Sequence, residues 1–262
     1  MPALVVAMDG WVNAGSAGTT TAEEIAGDAE VVARFDPDEM YDFRMLRPTI
    51  TFSDGVISEV EWPQTVIRRL AIDGRDLLVM SGPEPNWHWR ELADALVAAS
   101  TDWGVVEFIG IGGVPWAAPH TRPISIMSTS TTAGRLPRGS GAPEGLMQVP
   151  GAAVSTFEHR FHQEGIATIG FWARVPNYVG SAFPAASKAL LERLGEHLGI
   201  SFDVEPLALK AAEHLVQLND IIDERPDVRA MVTQLEEVYD STSAVSGDDL
   251  AAEIEKFLRE QR

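Results

Sequence analysis

The sequence predicts an α/β fold, with a mainly parallel sheet carrying helices on its faces and an all-helical appendage at the C-terminal end. Three observations carry that reading. Apolar runs of strand length alternate with stretches of helical period through about residue 205, the pattern of parallel strands joined by helices. Beyond Pro206 the apolar period becomes purely helical. A chain of 262 residues is long enough for one large core with an addition. The expected division is therefore an α/β core domain over 1–205 and a helical subdomain over 206–262.

In order, Leu4 to Met8 reads as a first strand, Ser16 as the cap of a helix to Ala26, and Glu30 to Phe35 as a second strand, together one βαβ unit. Thr49 to Phe52 and Val56 to Val60 form a hairpin at the sheet's edge, since Asp54-Gly55 between them supplies the positive φ a tight turn requires. The parallel pattern then resumes with strands at Asp76 to Met80, Val105 to Ile111 and Ile124 to Ser130, and a helix over Trp89 to Ala99. Residues 135–150, with Pro137, Pro143 and Pro150 among glycines, read as a long irregular loop, a length that usually serves function. A helix over Ala153 to Glu164, a strand over Ile166 to Val175 and a helix over Pro184 to Leu198 follow, the last stopped by Gly199. In the tail, the stripes Ala208–Ala211–Leu215–Leu218–Ile222, Val228–Val232–Leu235 and Leu250–Ile254–Phe257 mark three amphipathic helices. Each stripe must be buried on the sheet domain, on another helix or on a partner chain.

Composition narrows the function. Hydrophobic residues at 45% and charged residues at 23% are globular averages. No apolar run approaches the roughly 20 residues that cross a bilayer, so no membrane association is expected. Zero cysteines exclude disulfides, thiolate nucleophiles and cysteine zinc sites, and fit a cytoplasmic protein. A net charge of -19 argues against nucleic acid, which is bound through lysine and arginine. Residues 206–262 hold 13 Asp and Glu against 6 Lys and Arg, a surface for solubility or for a basic protein partner.

Ligands of open α/β sheets bind where strands reach their carboxyl ends, and the unusual residues lie there. Asp9-Gly10-Trp11-Val12-Asn13 follows the first strand, Glu84 sits between Pro83 and Pro85 ahead of Trp89, and Pro119-His120-Thr121-Arg122-Pro123 and Asn177-Tyr178 follow later strands. The candidate pocket is therefore Asp9, Trp11, Asn13, Glu84, Trp89, His120, Arg122 and Tyr178. In a catalytic reading Glu84 is a general base, His120 an acid, and Arg122 a clamp for a small anionic ligand. In the architectural reading the tryptophans are packing residues and Arg122 pairs with Glu84. His159 and His162 have metal-binding spacing without a third ligand, so no metal is expected. A phosphate loop and a nucleophile elbow are missing, and Gly110-Ile111-Gly112-Gly113-Val114-Pro115 puts proline where a dinucleotide loop needs its third glycine. No cofactor is implied.

The motifs Asp9–Gly15, Tyr41-Asp42-Phe43 with Arg47-Pro48, Trp62-Pro63, Gly82-Pro83-Glu84-Pro85 with Trp89-Arg90, Pro119–Pro123 and Val175–Tyr178, in this order, resemble the proteasome assembly chaperone 2 family as it occurs in actinobacteria. The family's pattern has Asp at the position of Asn13 and His at that of Asn177, so no catalytic role is carried over through those two. The resemblance implies a three-layer α/β/α sandwich similar to the phosphorylase/hydrolase-like fold and assembly into a homo-oligomer such as a trimer. It also implies a role in protein interaction or assembly without an established reaction. The alternative is a small-ligand binder or a hydrolase- or phosphorylase-like enzyme at the strand-end pocket.

Overall fold

The computed structural model describes residues 2–132, 134–137, 139–143 and 145–241. Its strands are β1 (Ala3–Asp9), β2 (Glu30–Arg34), β3 (Thr49–Ser53), β4 (Val56–Glu61), β5 (Val66–Ile72), β6 (Arg75–Pro83), β7 (Glu107–Trp116), β8 (Ile126–Thr129) and β9 (Ala167–Pro176). The helices are α1 (Ala17–Ala26), α2 (Pro37–Met40), α3 (Trp89–Asp102), α4 (Ala153–Gln163), α5 (Pro184–Leu198), α6 (Glu205–Asp223) and α7, over 226–241.

Seven strands form one sheet in the order β2-β5-β6-β1-β7-β9-β8. The inner four, β6, β1, β7 and β9, are parallel, while β5, β2 and β8 pair antiparallel. Two expectations are corrected here. β2 does not lie beside β1, because the β5–β6 hairpin, turned at Asp73 and Gly74 with φ of 52° and 74°, separates them. The strand near Ile126 does not continue the parallel run but returns along β9 at the edge.

Strand β1 shows how the layers arise. Its run of apolar residues is buried on both faces, as a central parallel strand requires. Ala3, Val5 and Ala7 join α1 and α5 in one core cluster, through Ala17, Ala22, Leu190 and Leu194. Leu4, Val6 and Met8 join α3 and α4 in the other, through Leu92, Leu96, Phe157 and Phe161. Period two in the strand thus makes three layers. α5 ends at Gly199 with φ 66°, as the sequence indicates. α6 adds Leu207 to the first cluster, whereas Val232 is the buried apolar residue of α7. The helix expected around Leu250 to Phe257 lies outside the described residues.

The β3–β4 hairpin turns at Asp54 and Gly55, with φ of 52° and 83°, and forms a separate two-stranded sheet. All of its strand residues are exposed. Among the described residues, no helix is long and apolar enough to cross a membrane.

Candidate functional site

Because β6, β1, β7 and β9 are parallel, the loops after them leave from one rim. The loop after β1 does not stand free. It leans back on β7, where Gly113 donates to the Val12 carbonyl and Asn13 bridges to Gly113. A side chain at Gly112 would strike that same carbonyl at 2.1 Å, so the glycines read as a possible dinucleotide loop are strand residues that admit a backbone. Asn13 is buried and spends its amide on structure. Its Oδ1 accepts from Gly18 and Thr19 N–H at 3.0 and 3.2 Å, and its Nδ2 donates to Asp9 and to Thr19. Asn13 therefore takes the capping role expected of Ser16, whose side chain makes no cap bond.

Glu84 is a brace. Its Oε1 accepts from Ala153 N–H, the first residue of α4, at 2.6 Å, and its Oε2 accepts from Trp11 N–H at 3.1 Å. Its own N–H donates to the Asp9 carbonyl. A carboxylate at a helix N-terminus is favourably placed for charge as well as for hydrogen bonding. A Cβ at Gly10 would fall 2.3 Å from Glu84 Oε2, so glycine is required for the loop to close on it. Trp89 packs on the α3–α4 core and donates its indole N–H to the Pro85 carbonyl.

His120, Arg122 and Tyr178 form a second group, which holds the tail. His120 is buried, with Nδ1 2.7 Å from the Tyr178 hydroxyl and Nε2 3.0 Å from Asn219 Oδ1 on α6. The amide oxygen can only accept, so Nε2 carries the proton and Nδ1 accepts from the tyrosine, which in turn receives His120 N–H. Burial pushes the Tyr178 hydroxyl above the ordinary tyrosine range. Arg122 grips Asp240 of α7 with two bonds of 2.7 and 2.8 Å and reaches Glu236 at 3.2 Å, and the Asp240 carboxylate holds its guanidinium well above the usual range. The architectural Arg122–Glu84 pair is therefore replaced by an arginine paired to the tail. Glu84 and His120 share no hydrogen-bond partner.

The rim has open space beside Asp9, Gly82 and Pro83, in a cavity of about 380 Å³, beside Asn13 and Val175, in one of about 320 Å³, and in a cavity of about 510 Å³ lined mainly by apolar side chains. Of the sequence candidates Trp11 reaches the last, 65% exposed; Trp116, Trp172, Met147 and Arg174 complete its character. The strap over 139–143 and 145–150 forms one wall, tied to β8 by Ser128 N–H to the Ser140 carbonyl and to β9 by Arg174 to the Gly141 carbonyl. Sequence reasoning missed Arg174 and Trp172, although the alternation Trp172-Ala173-Arg174 in a strand puts both on one face.

A family model described as the PAC2 family matches residues 7–222. Among solved structures, the Mycobacterium tuberculosis protein Rv2714, of unknown function, is 31% identical with a TM-score of 0.87, over 95% of this chain and 85% of that one. The M. tuberculosis proteasome-assembly chaperone homologue Rv2125 is 30% identical with a TM-score of 0.80, over 88% of this chain and all of that one. A PAC2 family protein from Streptomyces avermitilis is 28% identical with a TM-score of 0.78 and the same coverage. No match was found among curated proteins. The fold, the serial motifs and the matched span agree: the chain belongs to the PAC2 family.

Proposed function

We propose that the chain is a non-catalytic assembly factor that binds protein subunits and works as a homo-oligomer in the cytoplasm. One observation carries this. On the free-standing β3–β4 ribbon the cross-strand pairs Ile50/Val60 and Phe52/Ile57 lie on one face and are between 41% and 63% exposed. Thr49/Glu61 and Thr51/Glu59 lie on the other. A lone two-stranded ribbon is marginal in water, so this apolar face calls for a cover. The cover is a second copy of this chain, because the face itself carries no charge, so copies of net charge -19 can meet there without setting like charges directly against each other, and apolar burial opposes their general repulsion.

The relative Rv2125, described as a proteasome-assembly chaperone homologue, supports the wider reading of protein subunits as partners, and the acidic segment 206–262 suits a basic one. The rim chemistry supports the absence of a catalytic role too, since Glu84, His120 and Arg122 are taken up by hydrogen bonds within the chain. Light scattering on the eluting protein should give an oligomer for the wild type and a monomer for Phe52→Asp with Ile57→Asp. A monomeric wild type at working concentrations removes the ribbon's role. Co-expression with the proteasome ring subunits of the same cell should yield a stoichiometric complex on native gels. Failure with tags at either terminus overturns the assembly role.

A further inference from the structure

The cavity beside the strap holds a charge with no carboxylate partner among the described residues. Arg174 projects from β9 with its guanidinium carbon 4.3 Å from the centre of the Trp116 ring, and its Nη2 donates to the Gly141 carbonyl. Nε is buried with no acceptor. No carboxylate pairs with this arginine among the described residues, and burial lowers its pKa from the usual range. Most of the rest of the lining is apolar or aromatic, including Trp11, Trp116, Trp172, Met127 and Met147, and Thr129 and Ser155 add uncharged hydroxyls. Trp172 has already given its indole N–H to Thr129 Oγ1 at 2.8 Å, so it offers a ring surface and no donor.

A desolvated cation with no counter-charge is destabilising unless something else pairs with it. A space of about 510 Å³ lies within the range of small-ligand sites, which are mostly apolar with one or two polar groups that fix orientation. We propose that this cavity binds a small aromatic monocarboxylate, its ring among the three indoles and its carboxylate on the Arg174 guanidinium. One cation, with no lysine beside it, matches one negative charge. A dianionic phosphate would be left half-neutralised inside a protein of net charge -19. The site adjoins the Glu84 brace through Trp11, includes neither Glu84 nor His120, and does not depend on the assembly role.

The probe is 2-naphthoate, titrated into the full chain and read by quenching of tryptophan fluorescence, with 2-naphthamide, decanoate and phenyl phosphate alongside. The carboxylate should bind saturably and on the order of 10- to 100-fold more tightly than the uncharged amide, the ratio of a desolvated charge-assisted hydrogen bond to none. Arg174→Met should erase that ratio, and Trp116→Ala should weaken both ring compounds. Equal affinity of acid and amide for the wild type overturns the proposal without reliance on any variant, as does tighter binding of phenyl phosphate or of decanoate. Glu144 lies outside the described residues, and Glu144→Gln is the control. Naphthoate binding should survive it. If Glu144→Gln and Arg174→Met instead lower the melting temperature equally and neither affects binding, Arg174 is a structural partner and the site falls.

Discussion

Arg122 and Arg174 stand at the same rim and have opposite surroundings. Arg122 leaves a loop and is gripped by Asp240 and Glu236 from α7. Arg174 leaves a strand, lies on Trp116 and, among the described residues, is hydrogen-bonded to a backbone carbonyl alone. The proline-flanked arginine, which looks like an anion clamp in the sequence, is architecture, and the unremarked one has free capacity. Accessible chemistry at a rim is decided by what is left unpaired. The same division separates Glu84, satisfied by two N–H groups, from the cavity it adjoins.

The largest effect that tests this division is at Glu84. Removing a carboxylate that accepts two N–H groups leaves both without a partner, at about 1.5–3 kcal/mol for each charge-assisted bond before compensation by water. Glu84→Ala should therefore cost about 3 kcal/mol, roughly 6–12 °C in melting temperature for a chain of this size, with Glu84→Gln between it and the wild type. Differential scanning calorimetry decides it. An unchanged melting temperature would show the carboxylate to be free for chemistry.

Next comes the pair of arginines. Arg122→Ala should loosen α7 and speed proteolysis within 226–241 several-fold, because the helix loses both of its ion pairs and keeps only the bonds of Glu236 to Thr121 and of Tyr239 to the Pro123 carbonyl at that end. Arg174→Met should leave that cleavage unchanged and the melting temperature unchanged or higher, since an unpaired half-buried cation is replaced by an apolar group. If Arg174→Met destabilises the fold as Arg122→Ala loosens the tail, the two arginines are alike and the contrast is lost.

How much of this could be read beforehand follows from range. β1, β7, β9 and α5 were legible because continuous apolar runs and Gly199 are local signals, and so was the Asp54-Gly55 turn. β5 was not, since Arg68 and Arg69 interrupt a strand that is only partly buried. The residues around the rim were legible as positions, because parallel strands fix where loops emerge. Their roles were not, because Glu84 meets Trp11 and Ala153 across 73 and 69 positions of chain. His120 likewise meets Asn219 across 99. A pairing at such distance leaves no periodic trace.

The smallest effect concerns a second incompletely paired group, Glu158 on α4, 5% exposed, whose Oε1 has no hydrogen-bond partner among the described residues. Burial raises its pKa above the ordinary 4.5, against the opposing bonds from Thr168 and Thr131. A raised folded-state pKa means the native state holds the proton more tightly than the unfolded chain. That stabilisation is complete below the unfolded value and is lost as pH rises through the folded one. Glu158→Gln cannot ionise, so it escapes this loss. Its stability relative to wild type should rise between pH 4.5 and pH 8, gaining about 1 kcal/mol, or roughly 2–4 °C, at the upper end. Urea midpoints taken across that range test it. A difference that stays flat, or that shrinks as pH rises, would mean the carboxylate is fully satisfied, and would leave Arg174 as the case in which burial and missing partners coincide.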